Sequence, residues 1–270
     1  MTSQREKALR FHELHRGGRI LVLPNAWDAA SARVIELAGA RAIATTSAGV
    51  AASLGYPDGE QVRPELMIGV VERIVATVDL PVSVDAEAGY GDSVDAVRET
   101  VRAVLSAGAV GVNLEDAMGD PAVLVERIGA VREVAARAGV PLFVNARTDV
   151  YLRRGDPTAQ FDEALKRLRA YEAAGADGLF APGLADAATI GRLVASLGRP
   201  LNILAFEGVP PVPELERLGV ARVSAGSGPM RATLGLTRRI TEELLGAGTY
   251  ASFVEGAPSH GEVNAMFRVP

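Results

Sequence analysis

The 270-residue sequence contains no cysteine. This absence excludes disulfide bonds, thiolate metal sites and cysteine nucleophiles. Chains without cysteine are compatible with a reducing compartment, where disulfides are rare. We therefore expect a cytoplasmic protein whose chemistry depends on oxygen and nitrogen groups.

The chain also lacks an excess of positive charge, because 28 Lys and Arg residues stand against 33 Asp and Glu residues, for a net charge of −5. Nucleic-acid phosphates require a basic surface, so we expect no nucleic-acid partner. No apolar run reaches the ~18 residues that a membrane span needs. The polar first ten residues do not resemble a signal peptide. We expect no membrane partner either.

Aromatic residues are scarce, at 5% of the chain, whereas 48% of the residues are hydrophobic. Small aliphatic side chains favour close packing of helices on a parallel sheet. Short runs rich in β-branched residues alternate with longer segments of helical periodicity. The predicted strands are residues 20–24, 42–45, 81–85, 111–114, 142–146, 178–181, 201–204 and 221–224. The predicted helices are residues 29–38, 63–76, 94–107, 121–138, 161–174, 185–197 and 229–245, with a short helix at 213–218.

Eight βα units without an internal linker predict an α/β protein with one closed (β/α)8 TIM barrel, residues 1–248, and a C-terminal extension, residues 249–270. An open doubly wound sheet is the alternative, but it would leave two sheet edges, and the first βα turn lacks a phosphate-binding glycine fingerprint. Five glycines follow predicted helices at the position where glycine adopts the left-handed conformation at least cost. These are Gly39, Gly108, Gly139, Gly175 and Gly219.

Acidic residues follow the third and fourth predicted strands, at the end where the active sites of such barrels lie. They are Asp85, Glu87 and Glu115. Oxygen ligands without histidine or cysteine suit Mg²⁺ or Mn²⁺. Each carboxylate could instead cap a helix or pair with an arginine, but three at one rim favour a metal site.

Arg147 follows the fifth strand at the same rim. Its planar guanidinium could bind a carboxylate or a phosphonate through two hydrogen bonds. The alternative is a buried ion pair with Glu115 or Asp149. Both interpretations can hold if a substrate reorganises the pair.

The turn after the second strand offers hydroxyl and N–H groups to an anion, although such turns are common in loops. It consists of Thr45, Thr46 and Ser47. The three histidines, His12, His15 and His260, lie in terminal segments outside the predicted barrel, so we expect them at the surface.

Four motifs resemble those of the isocitrate lyase/phosphoenolpyruvate mutase superfamily, and the resemblance extends over nearly the whole chain, from Leu23 to Arg231. They stand at predicted strand ends and follow the order of the superfamily. The motifs are GVAASLGYPD at 49–58, VDAEAGYG at 84–91, NLED at 113–116 and NARTD at 145–149.

The resemblance implies a (β/α)8 barrel that forms an enolate of a 2-oxo acid on Mg²⁺. It also implies a homo-oligomer, usually a tetramer of two dimers that exchange their last helices, here within residues 249–270. Asp85 would ligate the metal directly, while Asp58, Glu87 and Glu115 would hold its water ligands. We assign substrate binding to Thr45, Thr46, Ser47, Arg147, Asn202 and Arg231.

The chain departs from the superfamily in two places. The lyases carry a Lys-Lys-Cys-Gly-His loop after the fourth strand, whereas residues 117–121 here read Ala-Met-Gly-Asp-Pro, and the Lys/Asn pair of the phosphonomutase gate is also missing. After the sixth strand, residues 181–183 read Ala-Pro-Gly where the superfamily has a glutamate or a histidine. These differences argue against isocitrate lyase, methylisocitrate lyase and phosphoenolpyruvate mutase activity proper.

The leading hypothesis is therefore a Mg²⁺-dependent carbon–carbon lyase or decarboxylase that acts on a small 2-oxo or 2-hydroxy carboxylic acid. A phosphonopyruvate-type mutase or hydrolase and a ligand-binding barrel without turnover are the alternatives. Because residues 117–119 cannot titrate, we expect the catalytic proton to come from a water held by Asp58 or Glu87, or from Tyr90.

Overall fold

The computed structural model describes residues 2–267. Its strands are β1 (Leu21–Leu23), β2 (Asn25–Ala26), β3 (Ile43–Thr45), β4 (Val82–Asp85), β5 (Gly111–Glu115), β6 (Phe143–Arg147), β7 (Gly178–Phe180), β8 (Leu201–Leu204) and β9 (Arg222–Ser224). All pairs are parallel, and the sheet runs in the order β1-β9-β8-β7-β6-β5-β4-β3-β2. Only Pro24 separates β1 from β2, which pair with opposite neighbours. The two segments act as one interrupted strand, and the sheet is an eight-stranded barrel.

Helices follow most strands and cover the outside of the barrel. They are α1 (Gln4–Leu14), α2 (Ala29–Leu37), α3 (Ser47–Ser53), α4 (Pro64–Thr77), α5 (Val94–Ser106), α6 (Pro121–Ala138), α7 (Pro157–Ala173), α8 (Ala187–Ser196), α9 (Val212–Arg217), α10 (Gly228–Leu245), α11 (Ala251–Val254) and α12 (His260–Met266). A 3₁₀ turn spans Val150–Leu152. The predicted (β/α)8 TIM barrel is confirmed.

Local sequence signals set the helix ends. Asp120 and Asp156 cap α6 and α7, each accepting from the backbone of the first turn, with proline next in sequence. The Asp156 cap starts α7 four residues before the predicted start. All five glycines predicted to end helices have positive φ, from 66° at Gly139 to 104° at Gly175. Their left-handed conformation stops each helix and redirects the chain into the next strand.

The N-terminal helix α1 closes the barrel at the end opposite to the predicted site. Phe11 is fully buried among residues at the starts of the strands, and His15 stacks on Phe143 with ring centroids 4.1 Å apart. The expectation of a surface position for His15 is therefore wrong, because α1 folds back across the barrel floor. His12 is half-buried, and only His260 is exposed.

The last helices carry much of the exposed apolar surface. Large exposed side chains on α10, α11, α12 and their connections are Leu234, Leu236, Leu244, Leu245, Tyr250, Phe253, Val254, Val263 and Phe267. Within residues 2–267, no helix combines the length and the hydropathy needed to cross a membrane. Residues 268–270 of the predicted C-terminal extension lie outside the described residues.

Candidate active site

A cavity of about 150 Å³ occupies the barrel interior towards the carboxyl ends of the strands. Its volume is below the roughly 300–1,000 Å³ of sites for drug-sized ligands, so it suits a molecule of few heavy atoms. One wall is apolar, formed by Leu152, Phe180, Pro182 and Leu204. Six of the predicted site residues line it: Thr45, Thr46, Ser47, Asp58, Asp85 and Arg147.

Asp85 ends β4, and its carboxylate is held by neutral donors on both sides. The backbone N–H of Ser47 donates to Oδ2 at 3.0 Å, and the Asn113 amide donates to Oδ1 at 3.1 Å. Asn145 donates to Asn113 at 2.9 Å and fixes that amide in turn. Asp85 forms no salt bridge within the described residues. Its negative charge therefore faces the cavity in a defined orientation.

The turn 45–47 lies against Asp85. The Thr45 hydroxyl accepts from the Asp85 backbone N–H at 2.9 Å, which binds β3 to β4 at the rim. Gly49 permits this packing, since a Cβ there would lie 2.5 Å from the Thr46 methyl group and 2.9 Å from Trp27 Cβ. A larger side chain at position 49 would therefore not fit between Thr46 and Trp27.

Glu87 lies behind the cavity wall in a loop of strained backbone. Glu87 and Tyr90 both have positive φ, 47° and 59°, although neither is glycine. The Glu87 carboxyl group accepts from the Glu60 N–H at 2.7 Å and from the Tyr90 hydroxyl at 3.0 Å. Burial, opposed by these hydrogen bonds, raises the pKa of Glu87 to about 7. The Tyr90 hydroxyl does not line the cavity, and burial together with Glu87 raises the pKa of Tyr90 far above its ordinary value.

Arg147 bridges two acidic side chains at the end of β6. Its Nη1 lies 2.7 Å from Glu115 Oε2, and its Nε donates to Asp149 Oδ1 at 2.6 Å. Burial raises the pKa of Glu115 to about 8, even though the positive charge of Arg147 opposes this shift. Burial alone would lower the pKa of Arg147, but the nearby carboxylates outweigh it and raise this pKa. The predicted ion pair is thus present with both partners, and Arg147 still lines the cavity.

Asp116 anchors the loops after β5 and β6. Its buried carboxylate accepts from the backbone N–H groups of Met118 and Asp149, at 3.0 and 3.1 Å. The Thr148 and Tyr171 hydroxyls and Arg167 Nη1 also donate to it, at 2.7, 2.8 and 3.1 Å. Burial acts to raise the pKa of Asp116, but these donors hold it below its usual value. All its acceptor positions are occupied, which indicates a structural role.

Two predicted substrate-binding residues lie away from the cavity surface. Arg231, in the first turn of α10, is exposed and lines a separate surface depression. Asn202 is buried in β8, where its amide donates to the Ser224 hydroxyl at 3.1 Å.

Arg222 lines the cavity and was missed in the sequence. It is 3% exposed and begins β9 beside Asn202. Within residues 2–267, its Nε and Nη1 atoms have no hydrogen-bond partner. Burial lowers its pKa to about 9, with Asp85 acting in the opposite direction. The sequence feature that could have indicated its inward position is the alternation of the polar residues Arg222 and Ser224 with apolar residues in the strand 221–224.

The donor set fits a hard divalent cation held by few protein ligands. It consists of oxygen atoms only, and the Asp85 carboxylate has no positively charged partner within hydrogen-bond distance. Among residues 2–267, no group of three or more acidic or histidine side chains could share an ion directly. A cation held by Asp85 would therefore take most of its remaining ligands from water or substrate.

The sequence matches the phosphoenolpyruvate phosphomutase family over residues 11–245. The chain belongs to this family. It is 38% identical over 232 residues to an uncharacterised protein of Mycobacterium tuberculosis, covering 84% of this chain and 85% of that protein. It is 32% identical over 234 residues to the 2-methylisocitrate lyase of Salmonella typhimurium, covering 81% and 77%. A crystal structure of 2,3-dimethylmalate lyase, a member of the PEP mutase/isocitrate lyase superfamily, superposes with a TM-score of 0.85 at 25% identity, over 98% of this chain and 95% of that one.

Family membership confirms the resemblance seen in the four sequence motifs and identifies the chain as an enzyme of a superfamily that includes carbon–carbon lyases. The described cavity lies where this fold places its chemistry, at the carboxyl ends of the strands.

Proposed function

We propose that this protein is a Mg²⁺-dependent carbon–carbon lyase or decarboxylase that acts on a small 2-oxo or 2-hydroxy carboxylic acid. The observation that carries the proposal is the Asp85 carboxylate, which faces a small cavity without a cationic partner and is oriented by Ser47 and Asn113. The lyases similar to this chain support the reaction class, and the cavity volume supports a short substrate.

The residues assigned to the metal have different parts in this proposal. Asp85 would hold the ion directly, with Mn²⁺ as a substitute for Mg²⁺. Asp58, which lines the cavity, and the more deeply placed Glu87 and Glu115 would hold water molecules around it. When bound, the ion supplies positive charge where an enolate oxygen develops in the transition state.

The protein groups bind and orient the substrate. The backbone and hydroxyl groups of residues 45–47 would hold one carboxylate beside Asp85. The Arg147 guanidinium, two strands away from Asp85 in the sheet, would stabilise negative charge on the substrate while Glu115 and Asp149 fix its plane. The apolar side chains of Leu152, Phe180, Pro182 and Leu204 would exclude water from the bond that breaks.

Tyr90 positions Glu87 in this account rather than donating the proton itself. Its hydroxyl donates to Glu87 Oε1 at 3.0 Å, and Tyr90 does not line the cavity. The carboxyl group of Asp58 reaches the cavity and can hold a water molecule there. A water molecule held by Asp58 would therefore supply the proton, since residues 117–119 after β5 have no titratable side chain.

A panel of 2-oxo and 2-hydroxy acids tests the reaction class, with Mg²⁺ in one arm and with a chelator in the other. Release of pyruvate or another 2-oxo acid in the Mg²⁺ arm alone supports the proposal. Phosphonopyruvate belongs in the panel, because Arg222 adds positive charge to the cavity and a P–C mutase or hydrolase would rearrange it or release phosphate. Binding without any product would point to a ligand-binding barrel.

We also propose that the protein is a homo-oligomer in which α10–α12 pack on a second copy. The exposed apolar residues of these helices support this arrangement, since such clusters mark interaction surfaces. Light scattering would measure the mass of the wild type and of a Phe253→Glu, Val254→Glu double variant. A wild-type monomer would refute the proposal, and dissociation of the variant would support it.

A further inference from the structure

Arg222 is a buried cation with unused hydrogen-bonding capacity at the floor of the cavity. It is the first residue of β9, whereas Asp85 is the last residue of β4, so Arg222 lies deeper in the barrel. Its positive charge also lowers the pKa of His15, as the largest contribution after burial. His15 is the residue of the N-terminal segment that packs against Phe143 at the barrel floor. The guanidinium thus lies between the closed end of the barrel and the open cavity.

Three of the five N–H donors of an arginine belong to the two nitrogens that lack partners here, Nε and Nη1. No salt bridge to Arg222 occurs within residues 2–267. Its neighbours in register, Leu21 and Asn202, are uncharged. An unpaired buried guanidinium is costly, and folded proteins pair such groups with an anion or a ligand.

Arg222 differs in this respect from Arg147, the other arginine of the cavity. Arg147 is bonded to Glu115 and to Asp149, so its charge is already matched by two acidic side chains. An incoming acid must compete with them for its donors. At Arg222 the same acid meets a positive charge that no carboxylate pairs with at salt-bridge distance, although Asp85 is near enough to act on its pKa, and the buried Nε and Nη1 have no partner.

We propose that Arg222 is the residue that binds the second acid group of a short diacid ligand, at the cavity floor. One acid group lies near the turn 45–47 and Asp85, and the second meets Arg222. The inference rests on the proposed function for the position of the first group. The second group is a carboxylate or a phosphonate, since both accept the two parallel N–H bonds of a guanidinium.

Calorimetric titration without metal tests this inference with malonate, phosphonoacetate and acetate as probes. The variants are Arg222→Gln and, as a matched loss of charge at an exposed site, Arg199→Gln. We expect the wild type and Arg199→Gln to bind at least one of the two diacids at least about tenfold more tightly than acetate. Arg222→Gln should weaken diacid binding by roughly 10- to 100-fold, the range for hydrogen bonds to a charged group. The tighter of malonate and phosphonoacetate identifies the second acid group.

A wild type without preference for either diacid over acetate would overturn the inference. So would an Arg222→Gln variant that binds the diacids within about twofold of the wild type. If Arg222→Gln does not fold, Arg222→Lys replaces it, because lysine keeps the charge but loses the planar pair of donors. Diacid binding weakened about tenfold in that variant supports the inference, and unchanged binding contradicts it.

Thermal unfolding of Arg222→Met distinguishes a binding role from a structural one. A guanidinium kept for a ligand destabilises the free protein, so the apolar replacement should raise Tm in the absence of ligand. The added diacid should then stabilise the wild type but not the variant. A lower Tm with an undiminished response to diacid would assign Arg222 a purely structural role.

These titrations do not depend on turnover. If diacids bind at Arg222 but no 2-oxo acid is consumed, the proposed lyase activity fails and the diacid site stands. If the lyase activity is found while Arg222→Gln keeps its preference for diacids, the diacid site fails alone.

Discussion

Replacing Asp116 by asparagine should destabilise the protein strongly without changing the size of the side chain. The carboxylate accepts five hydrogen bonds in a buried setting, one of them from the buried Arg167. The asparagine side chain would direct an amide donor towards these donors and leave Arg167 without the charge of its buried partner. Breaking a buried ion pair costs about 3–5 kcal/mol. For a protein of this size that corresponds to a fall in Tm of roughly 6–20 °C.

Calorimetry or circular dichroism would measure Tm for Asp116→Asn, with Asp120→Asn as the control in the same loop. Asp120 caps α6 from an exposed position, and asparagine caps a helix almost as well as aspartate, so the control should stay within about 0.5 kcal/mol of the wild type. A Tm for Asp116→Asn within about 2 °C of the wild type would refute the structural role of Asp116, since it lies below the range expected for a broken buried pair. The loop after β5 would then have to be reconsidered as a source of the catalytic proton.

Three further variants test the site and the barrel floor. Arg147→Lys keeps the charge but cannot bridge Glu115 and Asp149, so kcat/KM on a working substrate should fall by at least about tenfold, and a value within about twofold of the wild type would exclude substrate binding by the Arg147 guanidinium. Tyr90→Phe should lower kcat only a few-fold if Tyr90 positions Glu87, whereas a loss of about 10²–10⁴ would mark it as the general acid. Burial lowers the pKa of His15 to about 3, so between its ordinary pKa of about 6.5 and this value the unfolded chain takes up a proton that the folded protein does not. The free energy of unfolding from urea titrations should therefore fall by up to about 1.4 kcal/mol per pH unit below about pH 6.5; an equally steep fall in His15→Phe would show that His15 is not the cause.

The barrel could be predicted because its signals are local. Gly139 and Gly175 mark the points where helices end, and the apolar runs between such glycines and the next polar cluster are the strands. The rim residues follow from this pattern, since Asp85 and Arg147 each end a strand. Their proximity is a consequence of parallel strands that close into one ring.

Arg222 and His15 could not be placed in this way because their positions depend on tertiary packing. A barrel strand is buried on both faces, so the sequence does not distinguish a side chain that points into the barrel from one that points towards the helices. His15 becomes buried only because α1 folds across the barrel floor and brings it to Phe143. Asn202 and Arg231 show the same limit, since neither lines the cavity: Asn202 lies within β8 and Arg231 in the first turn of α10.

Titration of the protein with Mg²⁺, with and without the substitution Asp85→Asn, tests the central claim most directly. Calorimetry should detect Mg²⁺ binding to the wild type and a loss of at least about tenfold in affinity in the variant, because Asp85 is the carboxylate that faces the cavity in a fixed orientation and would ligate the ion directly. Asp95→Asn serves as the control, since Asp95 lies on the exposed surface of α5. Unchanged Mg²⁺ affinity in a folded Asp85→Asn variant would contradict the account.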